Sequence, residues 1–156
     1  MKLIEGVKVK KLKKIEDERG FLMEMMRADD PFFKKFGQVY MSACNPGYAK
    51  GWHYHKIQTD NFTVAKGKAR IVLYDGRKDS PTYKKINEFE LSDENRVLIT
   101  VPPGVYHGYV VLESEKEPGY MINTPTEKYN YDNPDEFRAP FDDPKIGYDW
   151  GVKKGG

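Results

Sequence analysis

The segment Val97-Leu98-Ile99-Thr100-Val101-Pro102-Pro103-Gly104-Val105-Tyr106-His107-Gly108-Tyr109-Val110-Val111-Leu112 decides the fold. Two runs rich in β-branched and aromatic residues, Val97–Val101 and Tyr106–Leu112, flank a Pro-Pro-Gly turn. Each run is too short for a helix of ordinary length, and the prolines between them forbid a continuous one. The segment therefore reads as two short strands joined by a sharp turn.

The same grammar extends in both directions. Toward the N-terminus the strand candidates are Gln38–Cys44, Trp52–Lys56, Asn61–Lys66, Arg70–Tyr74 and Ile86–Glu90, and toward the C-terminus Tyr120–Asn123. They are separated by turn-forming sequences such as Asn45-Pro46-Gly47, Lys66-Gly67-Lys68 and Asp75-Gly76-Arg77. Near the start, Val7, Val9 and Leu12 alternate among lysines, Asp17-Glu18-Arg19-Gly20 forms a turn, and Phe21–Met26 reads as another strand. Asp29-Asp30-Pro31 is expected to cap one helical turn, ended by Gly37, with Phe32, Phe33 and Phe36 facing inward. Many short strands at this spacing define an all-β sandwich or barrel. The 156 residues suit a single domain, 1–156, with residues 153–156 expected to fray.

Composition narrows the function. Charged residues make up 32% and hydrophobic ones 38%, with 26 basic against 24 acidic side chains. No long-range field selects nucleic acid or an acidic membrane. The cluster Lys8, Lys10, Lys11, Lys13 and Lys14 reads as an edge strand protected against pairing. Cys44 is alone in an apolar run, so it reads as a buried thiol in a reducing compartment. No apolar leader or membrane-length stretch is present, and the expected location is the cytoplasm.

The chemistry-bearing residues gather in two places. His53 and His55 stand in Gly51-Trp-His-Tyr-His and His107 in Pro102-Pro-Gly-Val-Tyr-His-Gly, which accounts for all three histidines. Alternate residues of a strand share a face, so His53 and His55 are expected side by side, with His107 brought in on a later strand. That grouping points to a functional pocket. Trp52, Tyr54 and Phe62 read either as its walls or as core.

Several ordered motifs carry a family resemblance: Asp17-x-Arg19-Gly20-x-x-x-Glu24, Gly51-x-His53-Tyr54, Gln58, Gly67, Asp75-x-Arg77, Ser80-Pro81-Thr82, Val101-Pro-Pro-Gly104, His107-Gly108, Tyr120 and Asp143-Pro-x-Ile146-Gly-x-x-Trp150. In that order they resemble the dTDP-4-dehydrorhamnose 3,5-epimerase family. The resemblance implies a cupin-type jelly-roll β-barrel, usually a homodimer. It also implies action without a cofactor on a nucleotide-linked 4-keto-6-deoxy sugar in polysaccharide synthesis. A ketone at C4 acidifies the hydrogens at C3 and C5, so the reaction needs a base, an acid on the opposite face, and support for the enolate oxygen. By resemblance His53 is the base, Asp143 its carboxylate partner and Tyr120 the acid. Arg19, Glu24, Lys50, Gln58 and His107 are implied to bind substrate, the first two touching the nucleotide of either their own or the neighbouring subunit. Tyr120 also reads as simple packing, and Asp143 as a loop acid. Asp75 and Arg77 read as an ion pair close to the site.

One departure matters. The family carries a lysine where this chain has Asp60, and an anion there opposes an enolate. Lys56 and Lys66 are the neighbours able to fold back toward the pocket. Asp60 also opens a second reading, since His53, His55, Asp60 and His107 resemble the metal motifs of cupins. A third reading is a binding relative without catalysis.

Overall fold

Alternation of apolar and polar residues leads to a structure built of strands alone. The computed structural model describes residues 1–156 and contains thirteen strands and no helix. They are β1 (Lys8–Lys11), β2 (Lys14–Asp17), β3 (Gly20–Met23), β4 (Tyr40–Cys44), β5 (Tyr48–Tyr54), β6 (Asp60–Lys66) and β7 (Ala69–Asp75). The remainder are β8 (Ile86–Leu91), β9 (Val97–Val101), β10 (Val105–Val111), β11 (Gly119–Asn123), β12 (Phe137–Arg138) and β13 (Lys154–Gly155).

Two sheets face one another as a cupin-like jelly roll. The first runs β1-β9-β6-β11-β4; the second runs β12-β5-β10-β7-β8, with β13 added in parallel to β5. The lysine-rich β1 is indeed an outer strand, paired only with β9. The quoted segment supplies one strand to each sheet: β9 lies in the first and β10 in the second, so the Pro-Pro-Gly turn crosses the barrel's end. Gly104 takes φ +80°, and a Cβ there would meet the Arg77 side chain at 2.8 Å.

Inward-facing residues of both sheets form the main core, among them Phe62, Val64, Ile71, Leu73, Ile99 and Tyr109. Each fully buried aliphatic side chain of this kind contributes roughly 1.5–3 kcal/mol. The second sheet is also covered on its outer face. Trp52, Val72, Tyr74 and Val110 pack there against Trp150, with Phe141, Ile146 and Tyr148 around them. The C-terminal segment is therefore a wrap that buries β5, β7 and β10 on both sides.

Two expectations need correction. Arg27–Phe33 forms two hydrogen-bonded turns rather than a helical turn, residues 34–36 are irregular, and Phe36 is exposed. Residues 153–156 do not fray: Lys154 and Gly155 pair with Tyr48 and Ala49, and the Gly156 amide donates to the Ala49 carbonyl at 3.2 Å. The β2–β3 hairpin belongs to neither sheet and stands as a separate ribbon.

Candidate active site

The site is a cavity of about 340 Å³ between the two sheets. Strand alternation decides which residues reach it. In β4, Tyr40 and Ser42 point inward; β6 and β11 contribute Phe62 and Met121. The opposite sheet supplies Lys50, His53 and His107, and the adjoining tail adds Glu136 and Arg138.

Two glycines let β5 and β10 approach closely at this point. A Cβ on Gly108 would meet the Lys50 carbonyl at 2.6 Å and the Trp150 ring at 2.7 Å; one on Gly51 would meet the Gly108 Cα at 2.9 Å. Trp150 thus lies against a bare patch of backbone, and its indole N–H donates to the Phe141 carbonyl at 2.7 Å. This clamp fixes the strands that carry His53 and His107, which are direct partners in register. On its other side His53 pairs with Arg138 of β12.

His55 follows the end of β5. Its Nδ1 bonds the backbone carbonyl of Asp135, whose carboxylate accepts the amides of Lys56 (2.8 Å), Ile57 (2.9 Å) and Gln58 (2.9 Å). One aspartate in the tail therefore pins the whole turn beyond the His-x-His motif. His55 and His107 both face Asp60, a fully buried carboxylate at the start of β6. His55 Nε2 is 3.2 Å and His107 Nε2 3.6 Å from the same oxygen, Asp60 Oδ2. The other oxygen, Oδ1, accepts from Gln58 Nε2 at 2.7 Å and Asn123 Nδ2 at 2.8 Å.

Electrostatics separates the three histidines. Burial lowers the pKa of His53, and the positive charge of Arg138 lowers it further against the opposing pull of Glu136. His53 is consequently neutral and able to accept a proton near pH 7. Burial drives His107 down to about 4, despite the attraction of Asp60. For His55 burial also opposes the charge, but the hydrogen bond and anion of Asp60 outweigh it and raise the pKa. Across the cavity, burial pushes Tyr40 up to about 12, so its hydroxyl keeps its proton. That hydroxyl accepts from Asn123 Nδ2 at 2.9 Å, which leaves its own O–H directed elsewhere.

The expected site residues divide into two groups. His53, Lys50 and His107 meet in the cavity, where Lys50 Nζ donates to Ser42 Oγ at 3.2 Å. Gln58 lies behind them, bonded to Asp60. Tyr120 lies on the outer face of β11 because its neighbour Met121 takes the inward position; its ring is 6.0 Å from Lys66 Nζ. Asp143 forms no hydrogen bond with His53, and its carboxylate accepts the Lys145 amide at 2.9 Å within the turn before Trp150. Arg19 and Glu24 are on and beside the free hairpin, paired with Asp17 and Arg27. Lys56 lies over the Phe137 ring and Lys66 near Glu117, so neither replaces the family lysine inside the cavity. Asp75 and Arg77 do form an ion pair, at 2.8 Å, outside the cavity lining.

Sequence reasoning missed Tyr40, Ser42, Asn123, Asp135, Glu136 and Arg138. The first two could have been found by following the inner face of β4, where Tyr40, Ser42 and Cys44 alternate. The Asp135–Arg138 segment gives no comparable signal, because its position depends on contacts about 80 residues away in sequence.

The chain is a cupin-type barrel whose interior cavity gathers a neutral histidine, a protonated phenol and two cationic side chains, a set fitted to proton transfer beside an anionic ligand. The chain matches the dTDP-4-dehydrorhamnose 3,5-epimerase family over residues 2–155, and it belongs to that family. It is 42% identical over 151 residues to the spore coat polysaccharide biosynthesis protein SpsL of Bacillus subtilis, covering 97% of this chain and 99% of that one. It is 37% identical to the probable low-salt glycan biosynthesis epimerase Agl13 of Haloferax volcanii, covering 96% of each. Among solved structures, the dTDP sugar isomerase of Desulfovibrio desulfuricans superposes with a TM-score of 0.87 at 32% identity, covering 94% of this chain and 92% of that one. The Legionella pneumophila epimerase in complex with dTDP-4-keto-L-rhamnose gives 0.84 at 27% identity, covering 98% of this chain and 85% of that one.

Proposed function

We propose that the cavity binds a nucleotide-linked 4-keto-6-deoxyhexose and that His53 removes a proton from the carbon next to the ketone, inverting C3, C5 or both. The observation that carries this reading is the placement of neutral His53 in an interior cavity that also holds Lys50 and Arg138. Those cations suit the diphosphate of a nucleotide sugar, and the cavity volume suits a hexose.

The acid is assigned to Tyr40. It faces the cavity from the sheet opposite His53, retains its proton, and has its hydroxyl oriented by Asn123. Base and acid on opposite walls allow a proton to leave one face of the sugar and return to the other. Tyr120 and Asp143, the acid and partner implied by resemblance, lie outside this wall pair; Glu136 and Asp60 are the carboxylates whose charges act on His53. Phe62, Ile71 and Met121 supply an apolar wall beside these polar groups.

The working form is proposed to be a cytoplasmic homodimer. Phe21 and Leu22 on the free hairpin are 50% and 59% exposed, and Val39 and Met41 beside outer strand β4 are equally bare. A second copy covering these residues would carry its hairpin, with Arg19 and Glu24, toward the neighbour's cavity. No helix is long and apolar enough to cross a membrane.

The test is NMR of the protein with dTDP-4-keto-6-deoxyglucose in deuterated water. Deuterium entering C3 or C5 identifies the reacting carbons. Binding without exchange would eliminate the catalytic reading and leave a sugar-binding protein.

A further inference from the structure

Around Asp60, the metal-ligating atoms of three side chains converge. His55 Nδ1 and His107 Nδ1 both face backbone carbonyls, those of Asp135 and Val105, the latter at 3.3 Å. In the tautomer that donates from Nδ1, a neutral imidazole carries its lone pair on Nε2. Both lone pairs point to Asp60 Oδ2, at 3.2 and 3.6 Å. That oxygen has no other partner, because the amides of Gln58 and Asn123 both go to Oδ1. With a proton on Nε2, His55 donates to Asp60 Oδ2; with Nε2 bare, it accepts from Gln58 Nε2 at 3.3 Å. Three ligand atoms lie within 4.8 Å of one another, all on buried residues, and each can present a lone pair to one ion.

We infer that His55, Asp60 and His107 form a binding site for one divalent transition-metal ion. The separations between donors suit ligands held about 2.0–2.2 Å from a common ion. Two imidazoles and one carboxylate suit Fe(II), Mn, Ni or Zn and leave further positions open. The supports are already built: each imidazole is oriented through Nδ1 by a carbonyl, and the carboxylate by two amides, which is how proteins fix metal ligands. His53 stands apart from this trio, its ring 6.2 Å from that of His107. The trio adjoins the cavity, since His55 and His107 both line it. A cation there would restore the positive charge that Asp60 removes from the family pattern, a consequence that rests on the sugar reading, whereas ion binding itself does not.

The experiment adds Co(II) to the full-length protein after chelator treatment. One equivalent is expected to bind, with ligand-field bands in the visible and two hyperfine-shifted imidazole N–H signals from His55 and His107. Asp60→Asn should weaken binding more than about 100-fold, beyond the loss from removing a supporting residue. His53→Asn should bind Co(II) as the parent does. Circular dichroism checks that the variants fold, and the parent spectrum decides the question without them. Absence of a saturable spectrum at millimolar Co(II), or unchanged affinity in Asp60→Asn, would overturn the site and leave a shared proton as the cation among the three side chains. Neither result bears on the sugar reading, which the exchange experiment tests separately.

Discussion

At the residue scale, chemistry depends on which neutral and charged forms burial permits. His53→Asn should lower solvent exchange at the sugar carbon by roughly 100- to 10,000-fold, the usual contribution of a positioned base. Tyr40→Phe should retain exchange on one face while losing inversion, and Tyr120→Phe should leave both intact. NMR of deuterium incorporation alongside product stereochemistry distinguishes these outcomes; loss of inversion in Tyr120→Phe with none in Tyr40→Phe would reverse the assignment of the acid.

Asp75 shows the same balance in a structural setting. Burial alone would raise its pKa, but Arg77 and the hydroxyls of Ser80 and Thr82 outweigh it and hold the carboxyl well below the usual range. Its folded-state pKa is thus depressed. The resulting stability is present above about pH 4, the unfolded value, and is lost as pH falls through the folded one. Asp75→Asn should cost on the order of 3 kcal/mol at pH 7, since it leaves a buried partner network uncompensated. Denaturant unfolding from pH 7 to pH 2 should show the gap between parent and variant narrowing; a constant gap would mean that charge is not its source.

At the element scale, pairing of β5 with β10 is the critical contact. Gly108→Ala would place a methyl group against the Lys50 carbonyl and Trp150, groups with little freedom to move. A loss of about 2 kcal/mol or more is expected, together with weakened substrate binding, because the strain falls between His53 and His107. Thermal unfolding and exchange kinetics on one preparation measure both. Element positions were largely legible. Val97–Val101 coincides with β9, and Ile86–Glu90 and Asn61–Lys66 each miss one terminal residue of β8 and β6. Their repeated apolar faces and turn residues are local signals. β12 and β13 were invisible because each is two residues long and exists only through pairing with β5.

At the scale of the whole molecule, exposed apolar surface is the outstanding feature. Phe21, Leu22, Val39 and Met41 are all at least half exposed. Leu22→Asp should convert the proposed dimer to a monomer, as read by light scattering after gel filtration, without unfolding the barrel. A parent protein that is already monomeric would remove the proposed route by which Arg19 and Glu24 reach a cavity.

The sequence by itself determined the all-β class, most strand positions and the gathering of three histidines, because alternation and turn chemistry act between near neighbours. The family motifs in the chain pointed to the same barrel. Only the tertiary structure decided that Met121 rather than Tyr120 faces inward, that Asp135 fixes His55, and that Asp60 receives two imidazoles on one oxygen. A single-residue choice of strand face exchanges inside for outside, and burial then sets protonation. Both depend on residues distant along the chain, so local pattern carries no record of them.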